Sequence, residues 1–271
     1  QYLRERGVLQ GYPDGTFKPD QIVSRAEAVK MIVAPKGIDV ASYTSSPFTD
    51  VPAGSWFLPY VEVARTNLGI IQGPPTATAF RPADPVKRGE FLKLFLLGNG
   101  IDVNGSWSDI TSPLSYDAKS SDWYYPFFRF AIGSSMVQVD TSGSLMPATP
   151  LTRGQVALIM YRWAMYDQGR RTQALLSEAE SEILNVLSMI EQKQLDRADE
   201  ASNRSMLAAR GALKSKPDSG VVKGAVKISE GFGFITRAYR AGSEQRFDDA
   251  ITLAGQAWQS GAKAIEFAPE L

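Results

Sequence analysis

Arg25, Arg88 and Arg153 are the residues of this chain best suited to chemistry by type and position. Each stands six residues after a proline, Pro19, Pro82 and Pro147 in turn, and each opens a stretch with helical hydrophobic spacing. A helix start leaves main-chain N–H groups unpaired, and a guanidinium grips a carboxylate through two parallel hydrogen bonds, so the combination suits an acidic ligand. With no anion present, a cation in the first turn opposes the helix dipole by up to about 1 kcal/mol. The competing explanation is a salt bridge that holds neighbouring segments together. Ser24, Lys87 and Thr152 precede the three arginines. Ser24 and Thr152 stand where an N-cap belongs, with Glu27 and Gln155 three residues later, and a capping box accounts for those four positions without any ligand.

Little other chemistry is open to the chain. Its 271 residues include no Cys and no His, which removes thiol nucleophiles, disulfides, the commonest general base and the commonest metal ligand. No cofactor or metal is expected. A glycoside hydrolase working with two carboxylates needs neither residue, yet Asp14, Glu27, Asp50 and Glu90 are already explained by turns and caps, so the chain does not read as an enzyme. The 29 basic and 29 acidic residues are balanced in both halves, without the positive excess that nucleic acid or an anionic membrane would select. No apolar run approaches the length of a membrane span.

The elements that must position the arginines form a repeat. Phe17, Pro19 and Arg25 match Phe80, Pro82 and Arg88, then Leu145, Pro147 and Arg153, with the same internal spacings. Upstream, Gly7-Val-Leu-Gln-Gly11 matches Gly69-Ile-Ile-Gln-Gly73 and, more loosely, Ser135-Met-Val-Gln-Val139. Copies two and three also carry a leading segment, Phe48-Thr-Asp-Val-Pro52 with Trp56, and Trp107-Ser-Asp-Ile110 with Trp123, the latter stretched by eight residues between Asp and Trp. Copy one lacks it, so the chain is expected to begin inside a repeat. Each copy reads as helix, turn, helix. One such pair cannot bury its apolar face alone, so three copies are expected to share a core with pseudo-threefold symmetry.

The string from Gly7 to Glu27, the Phe-Thr-Asp-Val-Pro segment, the turns ending in Phe-x-Pro and the helix starts Ser24-Arg-Ala-Glu27, Lys87-Arg-Gly-Glu90 and Thr152-Arg-Gly-Gln155 resemble the S-layer homology module of bacterial cell-surface proteins. The resemblance covers residues 1–165, in copies of about 1–40, 46–103 and 106–165. It implies an extracellular position at the cell envelope and noncovalent anchoring to a cell-wall glycan, often a pyruvylated secondary polysaccharide. A pyruvyl ketal carboxylate fits the arginines. The arginines are expected at grooves between neighbouring repeats, and Asp14, Gly15 and Thr16, in the turn Tyr12-Pro-Asp-Gly15, supply a second wall for such a groove. Trp56, Trp107 and Trp123 suit stacking on sugar rings, or else core packing. Copies two and three depart from the family in this turn, and Leu145 replaces the aromatic.

Beyond residue 165 the composition turns rich in Ala, Glu, Gln and Leu. An amphipathic helix of some forty residues is expected from Thr172 to about Leu213, then helices around Val221–Ala241 and Phe247–Phe267. Residues 166–271 thus read as an α-helical bundle of about three helices, without a family signature, open to self-association. Gln245-Arg-Phe-Asp-Asp-Ala250 is similar to the opening of a tetratricopeptide helix, but one partial copy makes no array. The fold expected overall is all-α. Wall anchoring is the leading function, and a self-assembling surface lattice or filament built on protein contacts is the alternative.

Overall fold

The computed structural model describes residues 2–269. The chain is all-α, and extended pairing among the described residues is limited to isolated bridges. Its helices are α1 (Tyr2–Glu5), α2 (Arg25–Val33), α3 (Leu58–Thr66), α4 (Arg88–Gly98), α5 (Tyr125–Gly133), α6 (Arg153–Asp167), α7 (Thr172–Glu191), α8 (Leu195–Ser215), α9 (Gly220–Ser243) and α10 (Phe247–Phe267). Two compact units result. The first comprises Gln1–Val103 with Met146–Tyr161, and the second Asn104–Leu145 with Arg162–Leu271. The boundary expected near residue 165 falls inside α6, and the third repeat contributes to both units.

In the first unit, local signals set the helices. Ser24 Oγ accepts the Glu27 N–H at 3.3 Å while Glu27 returns a bond to the Ser24 N–H at 2.8 Å, and Thr152 with Gln155 repeats this box at 3.3 and 2.9 Å. Lys87 has no side-chain acceptor, so only the Glu90 half of its box forms, at 3.1 Å. The residues just before these helices meet in a ring. Val23 donates its N–H to the Leu151 carbonyl, Leu151 to Val86, and Val86 back to Val23, at 2.9, 3.0 and 2.9 Å. All three side chains are buried. Apolar residues of α2, α3 and α4, among them Val29, Val61, Phe91 and Leu92, are closed from solvent.

Three repeat positions force left-handed backbone. The middle residue of each Phe-x-Pro or Leu-x-Pro, Lys18, Arg81 and Met146, has φ of 52, 60 and 50°, unusual for side chains with a Cβ. Gly7, Gly69 and Ser135 close the preceding helical turns at 67, 64 and 57°. Ser135 stands where the other copies have glycine.

The leading segment of copy three differs from the one expected. Asp50 accepts the N–H groups of Phe80 and Arg81 at 2.8 and 2.7 Å; in copy three it is Asp117 that accepts the Leu145 N–H, at 3.0 Å. Asp117 precedes Trp123 by the same six residues that separate Asp50 from Trp56, so no insertion is needed. Asp109, assigned that place on sequence, pairs with Arg210 at 2.5 Å. Both segments contain an Asp near a hydrophobic residue, and only the main-chain partner distinguishes them.

The second unit corrects the forty-residue helix. It breaks at Gln192-Lys193-Gln194, where Lys193 takes φ of 58° and the N–H groups of Lys193 and Gln194 return to Ile190 and Met189. The break folds α8 back along α7, so their apolar stripes bury each other, and the bundle holds four helices, α7 to α10, instead of three. Helix α8 also packs on α5 so closely that a Cβ on Gly211 would overlap the Gly133 carbonyl oxygen. Arg204, buried, ties the same helix to Glu182 at 2.7 and 2.8 Å and to the Leu114 carbonyl at 2.6 Å.

Two variants test these contacts by urea unfolding. Gly211→Val is expected to lose about 3 kcal/mol, because neither facing backbone can withdraw. Asp50→Ala is expected to lose about 2 kcal/mol, having left two main-chain donors without their charged acceptor.

Candidate functional site

The arginines do not meet the condition set for them on sequence. The helix-start N–H groups expected to await an anion are already paired with main chain from another copy. Arg25 donates its N–H to Asp84, Arg88 to Thr149 and Arg153 to Gln21, each at 2.9 Å, and the next residues bond to Pro82, Pro147 and Pro19 at 3.1, 2.9 and 2.8 Å. The side chains follow the same rule. Arg25 Nε donates to the Phe80 carbonyl and Arg153 Nε to the Phe17 carbonyl, both at 3.0 Å, across repeat boundaries. Arg25 also lies 3.6 Å from Glu90, and burial pushes its guanidinium pKa down. The contacts of Arg25 and Arg153 agree with the competing reading, in which the arginines tie repeats together; Arg88 is half-buried and joins the neighbouring copy through its main chain. Ser24, Lys87 and Thr152 hold the capping positions described above.

One arginine also faces a cleft. Arg153 lines an opening of ≈ 490 Å³ together with Tyr12, Glu27, Lys30, Trp56 and Tyr60. Three repeats contribute to it. Arg153 bonds to the Gln10 carbonyl through Nη2 at 3.1 Å and lies 4.7 Å from the Tyr12 ring centre, and its Nη1 has no hydrogen-bond partner among the described residues. Lys30 Nζ sits 5.4 Å from the Trp56 ring and 5.6 Å from Tyr60, within the range of cation–π attraction. Trp56 is 53% exposed. The opening is thus lined by an exposed aromatic face, the Lys30 ammonium and the largely buried Arg153.

The remaining candidates lie elsewhere. Gly15, at φ of 80°, and Thr16 line a separate opening of ≈ 1440 Å³ with Tyr2, Phe17, Leu158 and Tyr161. Asp14 is exposed and is spent inside its turn, accepting the Thr16 N–H at 2.9 Å and the Thr16 hydroxyl at 2.6 Å. Trp123 belongs to the second unit, where it is 54% exposed and packs edge-on against Tyr124. Trp107 is half-buried over Gly133. Lys30 and Tyr60 were not singled out on sequence. A signal existed for Lys30: copies one and two both place Lys five residues after the repeat arginine, at Lys30 and Lys93.

The model of the S-layer homology domain matches residues 1–29, 47–92 and 116–157. The chain carries three S-layer homology modules. The match of the third opens at Tyr116, beside Asp117, in agreement with the hydrogen bond that identifies its leading segment. Relatives include a cell surface glycoprotein 1 of Acetivibrio thermocellus, 36% identical over 35% of this chain and 4% of its own length. A surface-layer 125 kDa protein of Lysinibacillus sphaericus is 26% identical over 60% of this chain and 13% of its own. A cellulosome-anchoring protein of Acetivibrio thermocellus is 29% identical over 53% and 31%. The chain spans less than a third of the length of each of these three relatives. The modules locate the protein at the extracellular surface of the cell envelope. Among the described residues no helix is long and apolar enough to cross a membrane.

The copy-one turn yields a pH test. The Thr16 hydroxyl, then the Thr16 N–H, hold the Asp14 carboxyl down from 3.8 to about 2. A depressed carboxyl secures the turn above its unfolded value and releases it as pH falls through the folded one. Carbon-detected NMR is expected to show Asp14 titrating near 2, and Thr16→Val, which keeps the main-chain bond, is expected to move the midpoint toward 3.8.

Proposed function

We propose that the modules hold the protein noncovalently to an acidic cell-wall glycan, with the cleft around Trp56 as the principal site. The observation that carries this reading is the convergence of Lys30, Arg153, Trp56 and Tyr12 from three repeats on one opening. A pyranose can stack on the half-exposed Trp56, and a pyruvyl ketal carboxylate can pair with Lys30 and with Nη1 of Arg153. Arg25 and Arg88 take the tying role, with ligand contact secondary. The ring joining Val23, Val86 and Leu151 supports a pseudo-threefold core for the modules. Residues 1–165 are the anchoring part and residues 166–271 the part displayed.

A binding module fits better than an enzyme. Asp14, Glu27, Asp50 and Glu90 each accept a main-chain hydrogen bond, which occupies the carboxylates a hydrolase would need free. Self-assembly without glycan is the alternative, and cosedimentation separates the two. The chain is expected to sediment with purified sacculi and to lose that binding once pyruvyl groups are removed. Lys30→Ala with Trp56→Ala, both exposed and harmless to the core, is expected to weaken binding at least about tenfold, the least effect of losing one charge-assisted contact. Binding indifferent to pyruvyl removal rejects the acidic ligand. Binding indifferent to the double variant rejects the cleft.

A further inference from the structure

Helices α7 to α10 are two copies of one hairpin, displaced by 52 residues. Lys193 and Gln245 both take left-handed backbone, with φ of 58 and 61°. Their N–H groups return to Ile190 and Gly242, and those of the next residues, Gln194 and Arg246, to Met189 and Ala241. The following helices open with Leu195-Asp-Arg-Ala198 and Phe247-Asp-Asp-Ala250, and both end on a carbonyl 52 residues apart, Ala212 and Ala264, each bonded by its C-cap N–H. Sequence alone showed one partial motif at Gln245; the backbone supplies its partner.

The equivalence says what belongs on the outer face of α10. In the first hairpin, α8 receives α9 on Ser202 and Ser205, and Ala209 continues their spacing; all three are buried. Ser205 and Ser229 exchange a hydrogen bond at 2.8 Å, and a Cβ on Gly233 would stand 3.1 Å from Ser202 Oγ. At the end of this seam Arg240 of α9 pairs with Asp196 and Asp199 of α8 at 2.8 and 2.5 Å, so α9 runs antiparallel to α8. The seam on α9 has a heptad spacing, Val222, Val226, Ser229, Gly233, Thr236, Arg240. Adding 52 to the receiving positions gives Ala254, Ala257 and Gly261 on α10, with Asp248 where Asp196 stands. Among the described residues, nothing covers that face. Trp258 is 79% exposed, Ile251 72% and Ile265 60%, and Ala254, Ala257, Trp258, Gly261 and Ile265 line a groove of ≈ 560 Å³ between α9 and α10.

We infer that the α9–α10 hairpin is a docking site for one amphipathic helix of a partner protein. That helix lies antiparallel to α10, sets small residues at heptad spacing against Ala254, Ala257 and Gly261, and brings a basic residue to Asp248. The apolar side chains at 251, 258 and 265 flank it. This role is separate from wall anchoring and stands if the glycan site fails.

The test uses the full chain and a fluorescent helix with the sequence 220–243, stapled between positions 231 and 235 on the side opposite the seam. Saturable binding by anisotropy is expected, reduced at least about tenfold by Gly261→Arg, which fills the middle of the groove. A Cβ at Gly261 meets no atom within 4 Å, so the variant retains the fold. The stapled helix with Gly233→Lys is expected not to bind. Absence of binding by the parent helix, or equal binding to the Gly261→Arg chain, overturns the inference. Light scattering provides the other arm: a chain that dimerises in solution and becomes monomeric with Gly261→Arg assigns the face to a second copy and overturns the occupant proposed.

Discussion

Three main-chain hydrogen bonds, from Val23 to Leu151, from Leu151 to Val86 and from Val86 to Val23, are the constraint on which the first unit depends. Each joins residues far apart in sequence, and each lies immediately before a helix, so the ring sets where α2, α4 and α6 begin. Buried N–H and C=O groups must be paired, and in chain this irregular they have no sheet to join. The ring is that pairing. It also explains why the residue two positions before each repeat arginine is Val, Val or Leu: the side chain is buried because its backbone sits at the junction.

The same constraint redefines the arginines. A helix start whose first N–H groups are unpaired attracts anions, but here those groups bond to carbonyls from another copy. The guanidinium Nε of Arg25 and Arg153 adds one more such bond. A cation in the first turn is tolerated because main-chain carbonyl oxygens, carrying partial negative charge, stand where an anion would. What these ties do not use, around the cleft, are the outer nitrogen of Arg153, the Lys30 ammonium and the exposed face of Trp56.

The second unit solves burial by reversal. A forty-residue amphipathic helix would leave its stripe open along its whole length; breaking it at Lys193 lets one half cover the other. The same break at Gln245 forms the second hairpin, and the two stack through Ser205 and Ser229. Small side chains at that seam bring the helices close, as Gly211 does against α5. Among the described residues the outer face of α10 is exposed, and Ile251, Trp258 and Ile265 make it apolar.

The sequence by itself determined the all-α class, the three module copies and the capping boxes at Ser24 and Thr152, because these depend on local spacing and on side chains bonding within three residues. It also located α10 to the residue, since Phe247 follows a polar turn and the stripe ends at Phe267. Tertiary structure alone decided the rest. Whether Asp109 or Asp117 leads the third module depends on which carboxylate reaches the Leu145 N–H, a contact across nearly thirty residues. Whether the helix-start N–H groups are free depends on carbonyls from another copy. The break at Lys193 lies in a run, Gln192-Lys193-Gln194, with no Gly or Pro to announce it; only the apolar area gained when α8 folds onto α7 makes left-handed backbone at a lysine worthwhile, and that area exists only after both helices have formed.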